Sequence, residues 1–242
     1  MVEHEMLNEV RRLRDAGASP KAIARALGVR RSVVAPLLRQ VAADVPVPLP
    51  SEAELVGCWV SPGWSSELQV VGRECWDDVD LGPDAPSGIA LALVARAGRR
   101  NQISVCGYLV DTFCLGVKNV IGPERLNRRG LGSFVGTCFR AFPAPAISVP
   151  IELPQHLVLG AVTYAASLGF SAHPAFEAAR RQLGELKEPC AITFGRRGRP
   201  LYVAGPHDNS AAVVETLMAA VGADGFAVAA GALVRQTAMT NA

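Results

Sequence analysis

A run of alternating prolines divides this chain of 242 residues into two parts. Residues 45–50 read Val-Pro-Val-Pro-Leu-Pro. Each proline lacks a backbone N–H and fixes φ at about −65°, so the run cannot lie inside a helix or a central strand. It favours an extended polyproline linker. The predicted organisation is an N-terminal domain over residues 1–43, a linker over residues 44–52 and a second domain over residues 53–242.

Three short helices are predicted in the N-terminal domain. Apolar residues at positions 6, 7, 10 and 13 recur with helical spacing, and Gly17 can take the left-handed conformation of a C-cap. A second helix begins with Ser19 as its N-cap and Pro20 in its first turn, and Gly28 ends it. Ser32 can cap a third helix, whose apolar residues lie at positions 33, 34, 37, 38 and 41.

The second and third predicted helices resemble the helix-turn-helix superfamily, in which two helices cross steeply over a short turn. The resemblance rests on residues 19–38 and is extended to residues 5–42. Ala24 is small where the helices cross, and Gly28 permits the positive φ of the sharp turn. The shared core would consist of Ile23, Leu27, Val29, Val34 and Leu37 together with the first helix. Pro36 departs from the pattern because it lies inside the third helix.

The resemblance implies that the third helix contacts base edges and phosphates of duplex DNA in the major groove. The residues it assigns to nucleic-acid binding are Lys21, Arg25, Arg30, Arg31, Ser32 and Arg39. A single module of this kind makes few phosphate contacts, so a homodimer spanning two half-sites is expected. The second domain would then supply the dimer contact.

The distribution of charge supports this interpretation more than the total does. The formal net charge is only +2, but residues 1–44 carry +3 and the remaining residues carry −1. Residues 16–43 contain five bases and no acid. Such a local excess of positive charge is typical of a surface that approaches phosphates.

Strands and helices alternate in groups in the second domain, which predicts an α+β fold. Two β-rich runs, residues 89–94 and 103–110, flank an arginine-containing turn and are expected to form a hairpin or two buried strands joined by a loop. A second such pair is predicted at residues 191–194 and 201–203, around another arginine-containing turn. Helical patterns cover about residues 131–142, 155–168, 175–183 and 210–221. This domain resembles that of a family of bacterial helix-turn-helix-containing proteins, and the resemblance implies no activity.

Asp111, at the end of a predicted strand, is the main candidate for chemistry in the second domain. Together with His156, His173 and His207 it could form a metal-dependent hydrolase or nuclease centre. The alternative is a structural aspartate that caps the following turn, and this is the interpretation favoured here. No two of the histidines have metal-ligand spacing on one helix, so neither a metal nor a cofactor is predicted.

The six cysteines, at positions 58, 75, 106, 114, 138 and 190, lie mostly in apolar stretches without Cys-x-x-Cys spacing. They are expected to be buried free thiols. No apolar run approaches the length of a transmembrane helix, and the charged N-terminus does not resemble a secretory signal, so a cytoplasmic location without membrane association is expected.

The sequence therefore predicts a DNA-binding protein that acts as a transcriptional regulator. Two alternatives stay open at this point. The first is an RNA- or ribosome-associated factor that uses the same basic helices on a structured backbone. The second is an enzyme acting on nucleic acid, centred on Asp111 and the histidines of the second domain.

Overall fold

The structure is a computed structural model. It describes residues 6–7, 9–10, 12–13, 18–44, 52–82, 85, 87–98, 102–205 and 208–229, with side chains described only as far as residue 38 in the helix that ends at Asp44. The chain divides into two compact units, Met1–Pro48 and Leu49–Ala242. The boundary between them falls within the proline-rich range, of which residues 45–51 lie outside the described part of the chain.

Two helices, α1 (Pro20–Ala26) and α2 (Arg31–Asp44), form the described centre of the N-terminal unit. Residues 6–7, 9–10 and 12–13 also have helical backbone. Ser19 caps α1 as predicted, since its side chain accepts a hydrogen bond from the Ala22 N–H at 3.2 Å. Gly28 has φ of +64°, which confirms the left-handed turn after α1.

The predicted start of the helix that follows the turn is wrong by two residues, because Ser32 as the N-cap would make Val33 the first helical residue. The helix begins at Arg31, and the Arg30 carbonyl accepts from the Val34 N–H, so Ser32 lies in the first turn and is not the cap. Pro36 is therefore the sixth helical residue. Because proline has no N–H, the Ser32 carbonyl lacks the intrahelical bond that residue 36 would otherwise donate. The helix nevertheless continues to Asp44.

The second unit is built on an antiparallel five-stranded sheet. Its strands are β1 (Leu55–Val60), β3 (Ile89–Ala97), β4 (Ile103–Asp111), β5 (Gly116–Leu126) and β6 (Ile147–Ser148), in the order β5-β4-β3-β1-β6. The predicted hairpin is confirmed, because β3 and β4 pair along their whole length from Ile89↔Asp111 to Ala97↔Ile103.

Helices cover both faces of this sheet, which explains why β3 and β4 are apolar almost throughout. Their side chains alternate between the two faces with the period of two expected of strands. One face, with Val94 and Tyr108, packs in the main core against residues of the helix described next, including Leu157. The other face, with Leu93, packs against α3 (Arg128–Cys138).

The helix on the main core is α4, which runs through three segments: Glu152–Pro154, a π-helical turn Gln155–Leu159, and Gly160–Ser167. Two further helices are α5 (Phe176–Arg180) and α6 (Ser210–Val221). Four helices were expected in this unit at about these places. The predicted bounds of α3 are displaced because Asn127 caps it by accepting from the Gly130 N–H at 2.8 Å, so the helix begins three residues before the predicted start.

The second predicted strand pair does not form. The strand β7 (Ile192–Thr193) pairs antiparallel with β2 (Gln69–Val70), while β8 (Leu201–Val203) pairs parallel with β9 (Ala227–Ala229). Between β7 and β8 the chain makes a tight turn with a single bridge between Arg196 and Arg199. Each of the two strands beside this turn therefore pairs with a partner elsewhere in the chain and not with the other strand. The overall class is α+β, as expected.

The cysteines form no disulfide among themselves. Four of them, Cys58, Cys106, Cys114 and Cys138, are buried, as predicted. Cys75 and Cys190 are exposed, so the prediction of a buried thiol is wrong at these two positions.

Candidate nucleic-acid interface

The core of the N-terminal unit fixes which faces of α1 and α2 point outward. Ile23 and Ala24 of α1 and Val34 and Leu37 of α2 are buried together with Leu7 and Val10. Ala24 is 6% exposed and lies in this shared core, as its predicted place at a helix crossing requires. Leu27 and Val29, predicted in the same core, are partly buried against it. The polar residues of both helices whose side chains are described therefore lie on the solvent side.

The sequence-predicted binding residues lie on that solvent side wherever their side chains are described. Lys21 and Arg25 are exposed on α1, one helical turn apart. Arg30 is exposed in the turn, and Arg31 and Ser32 are exposed in the first turn of α2. Arg39 lies in α2, but its side chain is outside the described part.

These cations are not neutralised by neighbouring acids. Within the described part of the chain, Lys21, Arg25, Arg30 and Arg31 form no ion pair, whereas Arg12 binds Glu9 through two hydrogen bonds. The sequence between residues 16 and 43 contains no acid that could do so locally. Four exposed, uncompensated positive charges on two adjacent helices and their turn form a surface suited to polyanions.

Asp111 is a structural aspartate that caps the turn after its strand, which is the interpretation that the sequence favours. The side chain is 4% exposed, and its Oδ1 accepts from the N–H groups of Phe113 and Cys114, each at 2.9 Å. Burial raises the pKa of Asp111 to about 6, against the opposing effect of these N–H groups and of the Lys118 charge. The carboxylate thus caps the tight turn between β4 and β5.

The histidines do not gather around Asp111 in the described residues. His156 is buried, its Nδ1 accepts from the Ala191 N–H at 2.9 Å, and its Nε2–H is left to donate to Glu188 at 3.2 Å. His173 accepts a hydrogen bond from the Ala175 N–H at 3.2 Å. His207 lies outside the described residues. No group of three or more metal-ligating side chains is placed to hold a metal ion in the part of the chain that the structure describes.

The arginine-containing turns differ in how they are engaged. Arg196 and Arg197 both pair with Glu67, and Arg199 donates to the carbonyls of Asp224 and Phe226. These three arginines therefore already interact with groups of the protein itself. Arg99 and Arg100 lie outside the described residues.

Two polar arrangements are not among the sequence-predicted sites. Lys118 pairs with Asp208 at 2.9 Å, and the Asp208 carboxylate also accepts from the Gly205 N–H at 2.9 Å. These partners are 90 residues apart in sequence, so no local pattern could reveal the pair. The second arrangement is a row of exposed residues on α3 that begins at Arg128 and Arg129 and ends at Arg140, just past the helix. The sequence signal for it is that residues 125–151 contain arginines and no acid.

Among the described residues, no helix is long and apolar enough to cross a membrane. Comparisons with protein-family models, with curated proteins and with solved structures found no match.

Proposed function

We propose that the N-terminal unit is a three-helix helix-turn-helix module that binds duplex DNA through α2, and that the protein is a transcriptional regulator. The observation that carries the proposal is the combination of a close-packed helix pair with unpaired cations on its outer side. Ala24 lies in the shared core, Gly28 makes a left-handed turn, and Arg30 and Arg31 follow directly at the start of α2.

The position of the arginines suits the way such a helix meets DNA. In helix-turn-helix proteins, the N-terminal residues of the recognition helix contact base edges in the major groove. Arg30 and Arg31 precede and begin α2, and both are exposed. Arginine can bind guanine through two hydrogen bonds or can bind a phosphate, so both modes of contact are available.

Further phosphate contacts are expected from the flanking positions. Lys21 and Arg25 lie on the helix that would cross the backbone, and Arg39 lies further along α2. Because one module makes few contacts, we propose that the protein acts as a homodimer whose two recognition helices reach half-sites about 34 Å apart. Access to chromosomal DNA would require a cytoplasmic location.

The test compares two charge-matched variants of the full chain. Fluorescence anisotropy measures binding of a labelled random-sequence DNA duplex at 50 and 200 mM salt. Each phosphate contact adds about −0.9 to the slope of the logarithm of the binding constant against the logarithm of the salt concentration. Removing two contacts should therefore reduce the ratio of the affinity at 50 mM salt to the affinity at 200 mM salt by about 12-fold. We expect this reduction in Arg30→Ala/Arg31→Ala, with its thermal unfolding unchanged.

The matched control is Arg180→Ala/Arg181→Ala, which removes the same charge from adjacent exposed arginines at the end of α5. Glu177 and Glu185 lie near these arginines in sequence, so their removal should leave binding unchanged. Equal effects in the two double variants, or failure of the wild-type protein to bind duplex DNA at 50 mM salt, would overturn the proposal. Stronger competition by structured RNA than by duplex DNA would replace DNA with RNA as the partner.

A further inference from the structure

One side of α3 is anchored to the sheet and the other side faces solvent. Phe134, Val135 and Cys138 pack in the cluster formed with the outer face of β3. The opposite side, called here the α3 face, is exposed throughout. It consists of Arg128, Arg129, Gly132, Ser133, Gly136 and Thr137, together with Arg140 just past the helix.

The α3 face is strongly one-sided in charge. Residues 125–151 contain four arginines and no acid, which parallels the five bases of residues 16–43. In the described part of the chain, Arg128, Arg129 and Arg140 form neither ion pairs nor side-chain hydrogen bonds. Arg73 and Arg196, by contrast, are bound to Glu188 and Glu67. The charge of the α3 face is therefore available to an external partner.

The glycines of this face have no role in the packing of the unit. A Cβ added to Gly132 or Gly136 would meet no atom within 4 Å. Glycine inside a helix is about 0.5–1 kcal/mol less favourable than alanine, so these two positions reduce helix stability without an internal reason. Their effect is to leave the helix backbone open to close approach from outside.

We propose that the α3 face is a second nucleic-acid contact surface, at which Arg128, Arg129 and Arg140 bind phosphates of duplex DNA. The inference rests on the proposed function and adds a surface on the second unit. Arg129 lies nine residues before the end of α3 at Cys138, which is about 14 Å along the helix axis at 1.5 Å per residue, and Arg140 follows in the turn. One DNA strand carries about four phosphates over that axial length. Arginines at both ends of the face, with small residues between them, match such a row of negative charges.

The first experiment measures the salt dependence of duplex binding by Arg128→Ala/Arg129→Ala/Arg140→Ala in the full chain. Loss of three phosphate contacts should reduce the ratio of affinities at 50 and 200 mM salt by about 40-fold. The Arg180→Ala/Arg181→Ala protein is again the control. A triple variant that keeps the wild-type ratio would overturn the inference.

A second pair of variants tests the face without removing any arginine. Gly136→Glu places a negative charge in the middle of the α3 face, and Gly136→Gln places a neutral side chain of the same size there. Because the position is open, both variants should fold. We expect duplex binding to weaken at least 5-fold more in Gly136→Glu than in Gly136→Gln. Equal affinities would count against the face as a phosphate-binding surface.

The outcomes separate this inference from the proposed function. If Arg30→Ala/Arg31→Ala weakens binding and the triple variant does not, the α3 face is overturned and the N-terminal module stands. If only the triple variant weakens binding, the α3 face stands and the assignment to α2 fails. Preferential binding of single-stranded RNA through the α3 arginines would overturn duplex DNA as the occupant.

Discussion

Replacing Asp111 by asparagine should change how the stability of the second unit depends on pH. The carboxylate is buried, and its Oδ1 accepts two backbone N–H bonds of 2.9 Å. An asparagine oxygen can accept the same two bonds without carrying a charge. The substitution therefore removes the ionisation and keeps the cap of the turn.

The size of the effect follows from the pKa of Asp111, which burial raises from 3.8 to about 6. A carboxyl group with a raised folded-state pKa contributes stability that is fully present below the unfolded pKa and is lost as the pH rises through the folded pKa. For this group the loss begins near pH 4 and is complete above pH 6. The full difference is about 3 kcal/mol, most of which falls between pH 4 and pH 7.

Urea unfolding of the wild-type protein and of Asp111→Asn, measured at intervals from pH 4 to pH 7, tests this value. The free energy of unfolding of the variant should rise relative to that of the wild type by about 2–3 kcal/mol over the range. Other titrating groups are shared by both proteins and cancel in the comparison. Parallel pH profiles of the two proteins would refute the argument that burial raises the pKa of Asp111 and so makes its ionised form destabilising.

Asp111→Ala is the companion variant. It removes the charge together with the acceptor, so its pH profile should be as flat as that of Asp111→Asn. It should also be less stable than Asp111→Asn, by about 1–3 kcal/mol for each N–H left unsatisfied. Equal stability of the two variants would show that the hydrogen bonds to the turn contribute little.

The remaining predictions concern small residues. Ala24→Leu should destabilise the N-terminal unit by about 1–3 kcal/mol, because the position is 6% exposed in a close-packed core; an unchanged unfolding transition of that unit would contradict the helix crossing. Gly28→Ala should destabilise by about 1 kcal/mol because φ is +64°, although no atom lies within 4 Å of the added Cβ. Gly132→Ala, which is equally open but helical, should stabilise by about 0.5–1 kcal/mol. Thermal unfolding of the two glycine variants checks the opposite signs directly.

Local patterns in the sequence were sufficient where a residue acts through its immediate neighbours. Ser19 caps α1 and Gly28 makes the turn because each acts within three or four residues of chain. The β3–β4 hairpin is local in the same sense, since only a short connection separates its strands. The capping function of Asp111 belongs to this group too, because its two donors are Phe113 and Cys114.

Partners that are distant in sequence could not be predicted in this way. The strand at Leu201–Val203 was predicted, but the choice of β9 over β7 as its partner depends on packing far along the chain. The pairing of Glu67 with Arg196, 129 residues away, likewise has no local signal. The same limitation applies to the alternative of a metal-dependent centre, which would have required His156 and Asp111 to meet. His156 is instead hydrogen-bonded to the Ala191 N–H and to Glu188.

The net charge of +2 does not indicate how well the protein binds a polyanion. Some of its cations are paired with acids or hydrogen-bonded to backbone carbonyls, whereas others are exposed and unpaired in the described part of the chain. Arg196 shares Glu67 with Arg197, and Arg96 is buried with its N–H groups on the carbonyls of Gln182 and Ala53. Such arginines cannot bind phosphate without breaking an existing interaction, so they should contribute little to the salt dependence of binding. That dependence should therefore arise from the exposed, unpaired cations of α1, α2 and the α3 face. It should also be additive between the two units, since each surface would release its own counterions.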